Sequence, residues 1–306
     1  FGDEPSAAYA DFYERALYND ILASQDPDSG MCTYFQALRP GYLKLYHTPI
    51  DSFWCCTGSG MENHAKYNDS IYFHGGEDLW VNLFVPSVLT WRDRGMTVTQ
   101  STAFPEEEGT RLTLRTERPV QATVNVRVPS WAAGAGVTVN GRPWEGGSRP
   151  GSYVAIDREW RTGDAVEVRL PMRLRTVALP GVPDQVAVAW GPIVLAGRLG
   201  RDGLYPGADI LRNERTSGDI LQVPVEVPVL AGDPEALVER IHPVEGEPLT
   251  FETSGLGRPR DVTLIPYHRM AHERYNVYWR VEAPEGVGGP DLRGAREVGK
   301  AIASVR

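Results

Sequence analysis

Residues 52–74 read SFWCCTGSGMENHAKYNDSIYFH, and the character of the chain changes inside this stretch. Gly58, Ser59 and Gly60 lead into a polar run from Met61 to Tyr67, which predicts a helix from about Gly60 to Tyr67, ended by Asn68 and Asp69. From Ser70 onward the apolar residues alternate, the period of strands. At the front stand two neighbouring cysteines, Cys55 and Cys56, behind the bulky pair Phe53 and Trp54. Adjacent cysteines bridge each other only with strain, because a disulfide needs a defined dihedral and Cα separation. Vicinal thiols ahead of a helix suggest a thiolate site instead, since helix N-terminal amides favour negative charge and lower a thiol pKa. The competing reading is that both are buried small apolar side chains, a common fate of free cysteine.

Downstream, residues 71–73, 79–85, 96–102, 111–116, 122–128, 137–139, 153–156, 165–170 and 174–177 all read as strands. Turn signals such as Gly75-Gly76, Asn140-Gly141 and Thr162-Gly163-Asp164 separate them. A turn about every 8–12 residues is the spacing of a sandwich, here over residues 77–180. Residues 186–190 and 193–196 add two strands. Residues 197–232 read as long loops with a strand or two near 221–230. Residues 249–252, 262–266 and 275–281 suit a second, smaller β-rich unit. After Glu282 the sequence APEGVGGPDLRG reads as linker, and 295–305 as a marginal helix or frayed end.

Upstream, residues 5–23 carry Tyr9, Phe12, Tyr13, Ala16, Leu17 and Ile21 at helical spacing, with Pro5 and Ser6 at the start. Such a helix needs partners for its apolar face, and few other helical segments are present to supply them. With no initiator Met ahead of Phe1, this suggests a piece of something larger. QDPDSG, residues 25–30, is a turn cluster. Residues 31–35 form a short apolar run holding Cys32 and Tyr34, and 42–47 read as extended.

The composition narrows the function classes. The 306 residues are 42% hydrophobic and 23% charged, ordinary for a globular protein. Their 32 glycines and 24 prolines favour turns and short strands over long helices. A net charge of -9 argues against nucleic acid as a partner. Three cysteines are too few for a disulfide scaffold, and no apolar run approaches the roughly 20 residues that span a bilayer. No signal peptide opens the chain, so a soluble protein is expected with export left open, as is a homo-oligomer.

Two thiolates are half of a tetrahedral zinc site, which wants four ligands. The further donors in this chain are Cys32, Glu62, His64, His47 and His74, with capping or packing as the plain alternative for Glu62 and His64. Thr57-Gly58-Ser59-Gly60 departs from a Gly-x-Ser-x-Gly elbow at its first position, and there is no phosphate loop. His268, His272 and Arg274, in IPYHRMAHERYNVYW, read as packing, with polar contacts at a domain interface as the alternative.

The stretch 52–74 resembles the β-L-arabinofuranosidase group, glycoside hydrolase families 127 and 146. The likeness extends to YADFYERALYNDILASQDPDSGM (9–31), TYFQALRPGYLKLY (33–46), LWVNLFVPSVLTW (79–91), VAWGPIVLAG (188–197) and VTLIPYHRMAHERYNVYW (262–279). The resemblance implies a mixed, mainly β fold: the remnant of an (α/α)6 barrel followed by β-sandwich domains. It implies retaining hydrolysis of terminal β-L-arabinofuranosides by a cysteine nucleophile. Zinc would be held by the vicinal cysteines and by a Glu and a Cys of an upstream Glu-Thr-Cys motif. By position Cys55 matches the nucleophile, itself a zinc ligand, Cys56 the second cysteine ligand, and Tyr34 a tyrosine near the sugar.

One departure stands out: no Glu-Thr-Cys occurs in these residues, and the acid/base glutamate of the group also lies upstream. The expected division is a barrel remnant at 1–76, a sandwich at 77–196, a second small β-rich domain at 197–282 and a linker or tail at 283–306. Its partner would be an arabinose-containing glycan or glycoconjugate, and the chain alone would complete no turnover. The rival reading is a β-sandwich carbohydrate-binding or structural module with inert cysteines.

Overall fold

Alternating buried and exposed side chains build two facing sheets in the middle of the chain. The computed structural model describes residues 1–2, 4–52, 54–211, 225–234 and 236–282. The expected linker and helix after Glu282 lie outside them, as does most of the expected strand start near 221. The first sheet runs Tyr72–Gly75, Asp78–Val81, Val120–Val128, Ser152–Trp160, with the middle pair parallel. The second runs Ser87–Trp91, Met96–Ser101, Gly109–Thr116, Ala165–Arg169, Gly136–Val139, Arg142–Pro143. Along Gly109–Thr116, Thr110, Leu112 and Leu114 point inward while Arg111, Thr113 and Arg115 face solvent. Leu79, Val98, Leu112, Val124, Ile156 and Trp160 fill the space between the sheets. Each such side chain contributes about 1.5–3 kcal/mol of burial.

The strands from Leu174 onward form a third sheet with its own core of Val188, Ile193, Leu195, Phe251, Leu264 and Trp279. Its centre is Ile193–Gly200 beside Val182–Trp190, which pairs in turn with Leu174–Leu179 and Tyr278–Glu282. Ile193–Gly200 runs straight through the boundary expected at residue 196. Strand pairing divides the β-rich part near residue 173 instead, because the hairpins on either side of Val182–Trp190 tie 174–200 to the C-terminal strands. Gly197 is required there: a Cβ would sit 2.3 Å from the Trp279 ring. The fold is mainly β, as expected. Among the described residues no helix is long and apolar enough to cross a membrane.

The N-terminal helix α1, Ala7–Ala16, continues through a π turn (Leu17–Ile21) and a 3-10 turn (Leu22–Ser24). It is where the periodicity places it, but only part of the expected face is buried: Leu17 and Tyr13 pack with Ile71 and Leu83. Tyr9 and Phe12 are exposed, while Glu14 is 1% exposed. The reason is Arg127, 0% exposed on the outer face of the first sheet. Its guanidinium donates to Asp11 and Glu14 at 2.5 Å each and to the Asn82 carbonyl at 2.6 Å. Trp131 Nε1 donates to the other Glu14 oxygen at 2.9 Å. A buried guanidinium without partners costs several kcal/mol, so the helix docks by its carboxylates.

The second helix, α2, is Cys55–Ala65 and begins five residues before the expected Gly60. Trp54 is its N-cap, with extended backbone, and the Thr57 hydroxyl accepts the Trp54 N–H at 3.3 Å. That bond is one half of a capping box and stops the helix from fraying at the thiols.

Candidate active site

Because α2 starts at Cys55, the two thiols occupy its first turn, where backbone amides have no intrahelical partner. Cys55 is exposed, Cys56 half-buried and Cys32 buried. The Cys55 and Cys56 sulfurs are 3.8 Å apart. Two Zn–S bonds of about 2.3 Å at a tetrahedral angle span about 3.8 Å between sulfurs. The pair therefore fits two of the four positions around a zinc ion. Cys56 departs from the expected thiol behaviour. Burial, then the hydrogen bond and charge of Cys55, push its thiol up, against the lowering effect of its own backbone amide. Burial and the neighbouring sulfur together outweigh the amide, since both disfavour the charged form, which a bound cation would favour.

Among the described residues, none of the five further donors joins the pair. His64 is eight residues past Cys56, about 12 Å along the axis. Its Nε2 lies 3.7 Å from Cys32 Sγ, and its Nδ1 bonds the Tyr67 hydroxyl. Burial pushes the Cys32 thiol up and the His64 imidazole down, so both stay neutral. Glu62 pairs with Lys66 at 2.7 Å on the exposed face. His47 Nδ1 contacts the Thr48 carbonyl at 2.8 Å, and the His74 ring packs 5.4 Å from that of Trp91. Cys32 nevertheless shapes α2: a Cβ on Gly60 would meet its sulfur at 2.7 Å.

Tyr34 is brought to the thiol motif through Trp54. Their rings are 5.6 Å apart, edge to face, and Phe35 packs on Tyr34 at 4.5 Å. These three, with Ala37, Tyr42, Leu45 and Leu211, line a cavity of about 340 Å3 whose wall includes the residue just before Cys55. Backbone pairing holds it in shape: Thr33 bridges Tyr46, and Tyr46 in turn bonds Asp209 and Leu211. An aromatic-walled cavity beside a solvent-facing thiol suits a ligand with apolar C–H faces and a reactive carbon.

Sequence reading missed a second cluster. Asp26, Asp28, Asp209 and His272 converge, and Arg274 is 1% exposed and bonded to the Gly41 carbonyl at 3.1 Å. Packing describes His268 and Met270, which lie against Tyr18 and in an apolar cluster with Tyr267 and Tyr275, while polar contacts describe His272 and Arg274. QDPDSG carried the signal only as a turn, and its partner lies at the other end of the chain.

Comparison with known proteins places these residues in a family. A sequence model described as the β-L-arabinofuranosidase GH127 catalytic domain matches residues 1–69, one described as the GH127 middle domain matches 78–172, and a domain of unknown function matches 175–281. A non-reducing end β-L-arabinofuranosidase of Bifidobacterium longum subsp. longum is 27% identical over 221 residues, 62% of this chain and 32% of that protein. A GH127 β-L-arabinofuranosidase of Geobacillus stearothermophilus T6 superposes with a TM-score of 0.64 at 22% identity, over 92% of this chain and 47% of that one. A structure described as a glycoside hydrolase gives 0.66 at 21%, over 90% and 49%. The chain thus spans about a third of the curated relative and about half of each solved structure. With GH127 catalytic and middle domains matched in succession, the chain belongs to the GH127 β-L-arabinofuranosidase-like proteins.

Proposed function

We propose that the protein these residues belong to releases L-arabinofuranose from β-L-arabinofuranosides, with Cys55 as nucleophile and Cys56 beside it as a zinc ligand. The observation that carries this is the exposed Cys55 in the first turn of α2, its sulfur 3.8 Å from that of Cys56. The family match supports the reaction class, and Cys55's exposure favours an enzyme over a module with inert thiols. Zinc, when bound, would keep the thiols deprotonated and oriented. The first turn of α2 presents the Cys55 sulfur to solvent, and the cavity of Tyr34 and Trp54 would hold the sugar ring by its C–H faces.

The Cys55 thiolate attacks the anomeric carbon. A C–S bond forms while the bond to the leaving oxygen breaks, and that oxygen takes a proton from an acid contributed outside these residues. Water, giving a proton to the conjugate base that acid leaves, then attacks the same carbon, the C–S bond breaks back to thiolate, and two inversions give retention. Residues 1–76 would be the barrel part that bears the thiols, with the β-rich units as its support.

Among the described residues two of the four zinc donors are found, so the 306-residue chain alone should bind zinc weakly and turn over no arabinofuranoside. Zinc titration and an assay on a chromogenic β-L-arabinofuranoside test this. Turnover by the isolated chain near the rate of a full-length relative would sink the division of labour. Full activity of a full-length Cys55→Ser variant would sink the nucleophile.

A further inference from the structure

Three segments meet away from the thiols. The loop after α1 brings Asp26 and Asp28, the segment 207–211 brings Asp209, and the C-terminal region brings His272. Asp26 and Asp209 are buried, Asp28 is exposed and His272 is half-buried. His272 Nε2 lies 3.0 Å from Asp26 Oδ1 and 3.1 Å from Asp28 Oδ2, yet it makes a hydrogen bond with neither. Its Nδ1 is bonded to Asp209. The imidazole thus has one nitrogen held by a carboxylate and the other aimed between two carboxylate oxygens, all three ligand atoms within 4.8 Å of one another. A metal-ligating histidine is held this way, its second nitrogen donating to a carboxylate that fixes tautomer and ring orientation. The Asp26 carboxylate is itself fixed by the Asp28 amide at 3.1 Å and the Ser29 hydroxyl at 2.5 Å. His272 also sits at φ +59°, a left-handed backbone unusual for a side-chain-bearing residue.

A second observation points the same way. Tyr46 is 2% exposed, and its hydroxyl has no hydrogen-bond partner among the described residues. Its ring is 5.9 Å from the His272 ring, and its backbone amide bonds the Asp209 carbonyl at 2.7 Å. The hydroxyl is close enough that, after burial, Asp26, Tyr275, Asp209 and Asp28 raise its pKa far above the ordinary value. A buried hydroxyl without a partner is destabilising, unless something in the cluster uses its lone pairs. Among the described residues the buried ammonium nearby, Lys44, is spent on the Tyr267 carbonyl at 2.8 Å.

We propose that Asp26 Oδ1, Asp28 Oδ2 and His272 Nε2 bind a divalent first-row transition ion, oriented through Asp209, that clamps the loop after α1 to the third sheet. One imidazole nitrogen with two carboxylate oxygens suits Mn2+ or Zn2+ and is a poor match for the all-oxygen shells of Ca2+ and Mg2+. The site is separate from the thiol pair, and it stands whether or not Cys55 is a nucleophile.

The test uses the full chain with Cys55→Ser and Cys56→Ser, stripped of metal and titrated with Mn2+. Binding is followed by electron paramagnetic resonance and thermal unfolding. One Mn2+ should bind per chain and raise Tm by several degrees. His272→Gln should abolish both effects, and Asp209→Asn should weaken binding about 10–100-fold. Asp28→Asn, at an exposed side chain, should abolish binding while leaving the metal-free Tm unchanged, which separates lost ligation from lost folding. Absence of Mn2+ binding in the parent, or binding of equal strength in Asp28→Asn, would overturn the site.

Discussion

The sulfurs of Cys55 and Cys56 stand 3.8 Å apart in the first turn of α2, Cys55 exposed and Cys56 half-buried. Their exposure gives a chemical prediction. Iodoacetamide should alkylate Cys55 first, Cys56 more slowly and Cys32 last, as read by peptide mass spectrometry. Thiolate fraction and access together set these rates. Equal labelling of Cys32 and Cys55 in the folded chain would contradict the described burial.

Gly60 and Cys32 are matched in the same region. Gly60→Ala places a Cβ 2.7 Å from Cys32 Sγ and 3.1 Å from its Cβ. Overpacking of this kind costs about 1–3 kcal/mol, despite alanine's better helix propensity. Adding Cys32→Ala removes the sulfur in the way, so the double variant should recover much of that loss. A denaturation cycle with purely additive effects would mean that α2 does not rest on Cys32.

Arg127 joins α1 to the sandwich through Asp11 and Glu14. Arg127→Leu leaves two carboxylates, one of them fully buried, without their cation. The expected loss is about 3–5 kcal/mol in urea unfolding. Adding Asp11→Asn and Glu14→Gln should return part of it, because the stranded charges go. No recovery in the triple variant would assign the loss to side-chain packing instead.

How much of this was legible in sequence depends on the range of the forces involved. The strands of the sandwich follow from local alternation, as in Thr110, Leu112 and Leu114, so periodicity placed most of them, but it carried one strand on to residue 85 where it ends at Val81 and passed over Ser87–Trp91. The start of α2 did not, because the Thr57–Trp54 cap outweighs the poor helix propensity of Thr57, Gly58 and Ser59 ahead of Gly60. The docking face of α1 was legible only in part, for another reason. Aromatic spacing marks Tyr9 and Phe12, but Arg127, far along the chain, decides which side is buried. The Cys55–Cys56 pair was visible as adjacent letters. The Asp26–His272 contact was not, since nothing local to either residue names the other.

His268 supplies a pH dependence. Burial, with the nearby charges of Arg269 and Lys44, pushes its imidazole down to about 4 from an ordinary 6.5. Its Nδ1 is buried and finds no partner among the described residues. Between these two values the unfolded chain takes up a proton that the folded chain refuses. Stability is therefore full above about pH 6.5 and falls as pH drops toward 4. At 1.36 kcal/mol per pKa unit the loss is about 3 kcal/mol over that window. His268→Gln cannot titrate, so the difference between its urea midpoints at pH 7 and pH 4.5 should be markedly smaller than the parent's. If the two proteins lose stability in parallel, some other group carries the acid sensitivity and His268 is not held neutral.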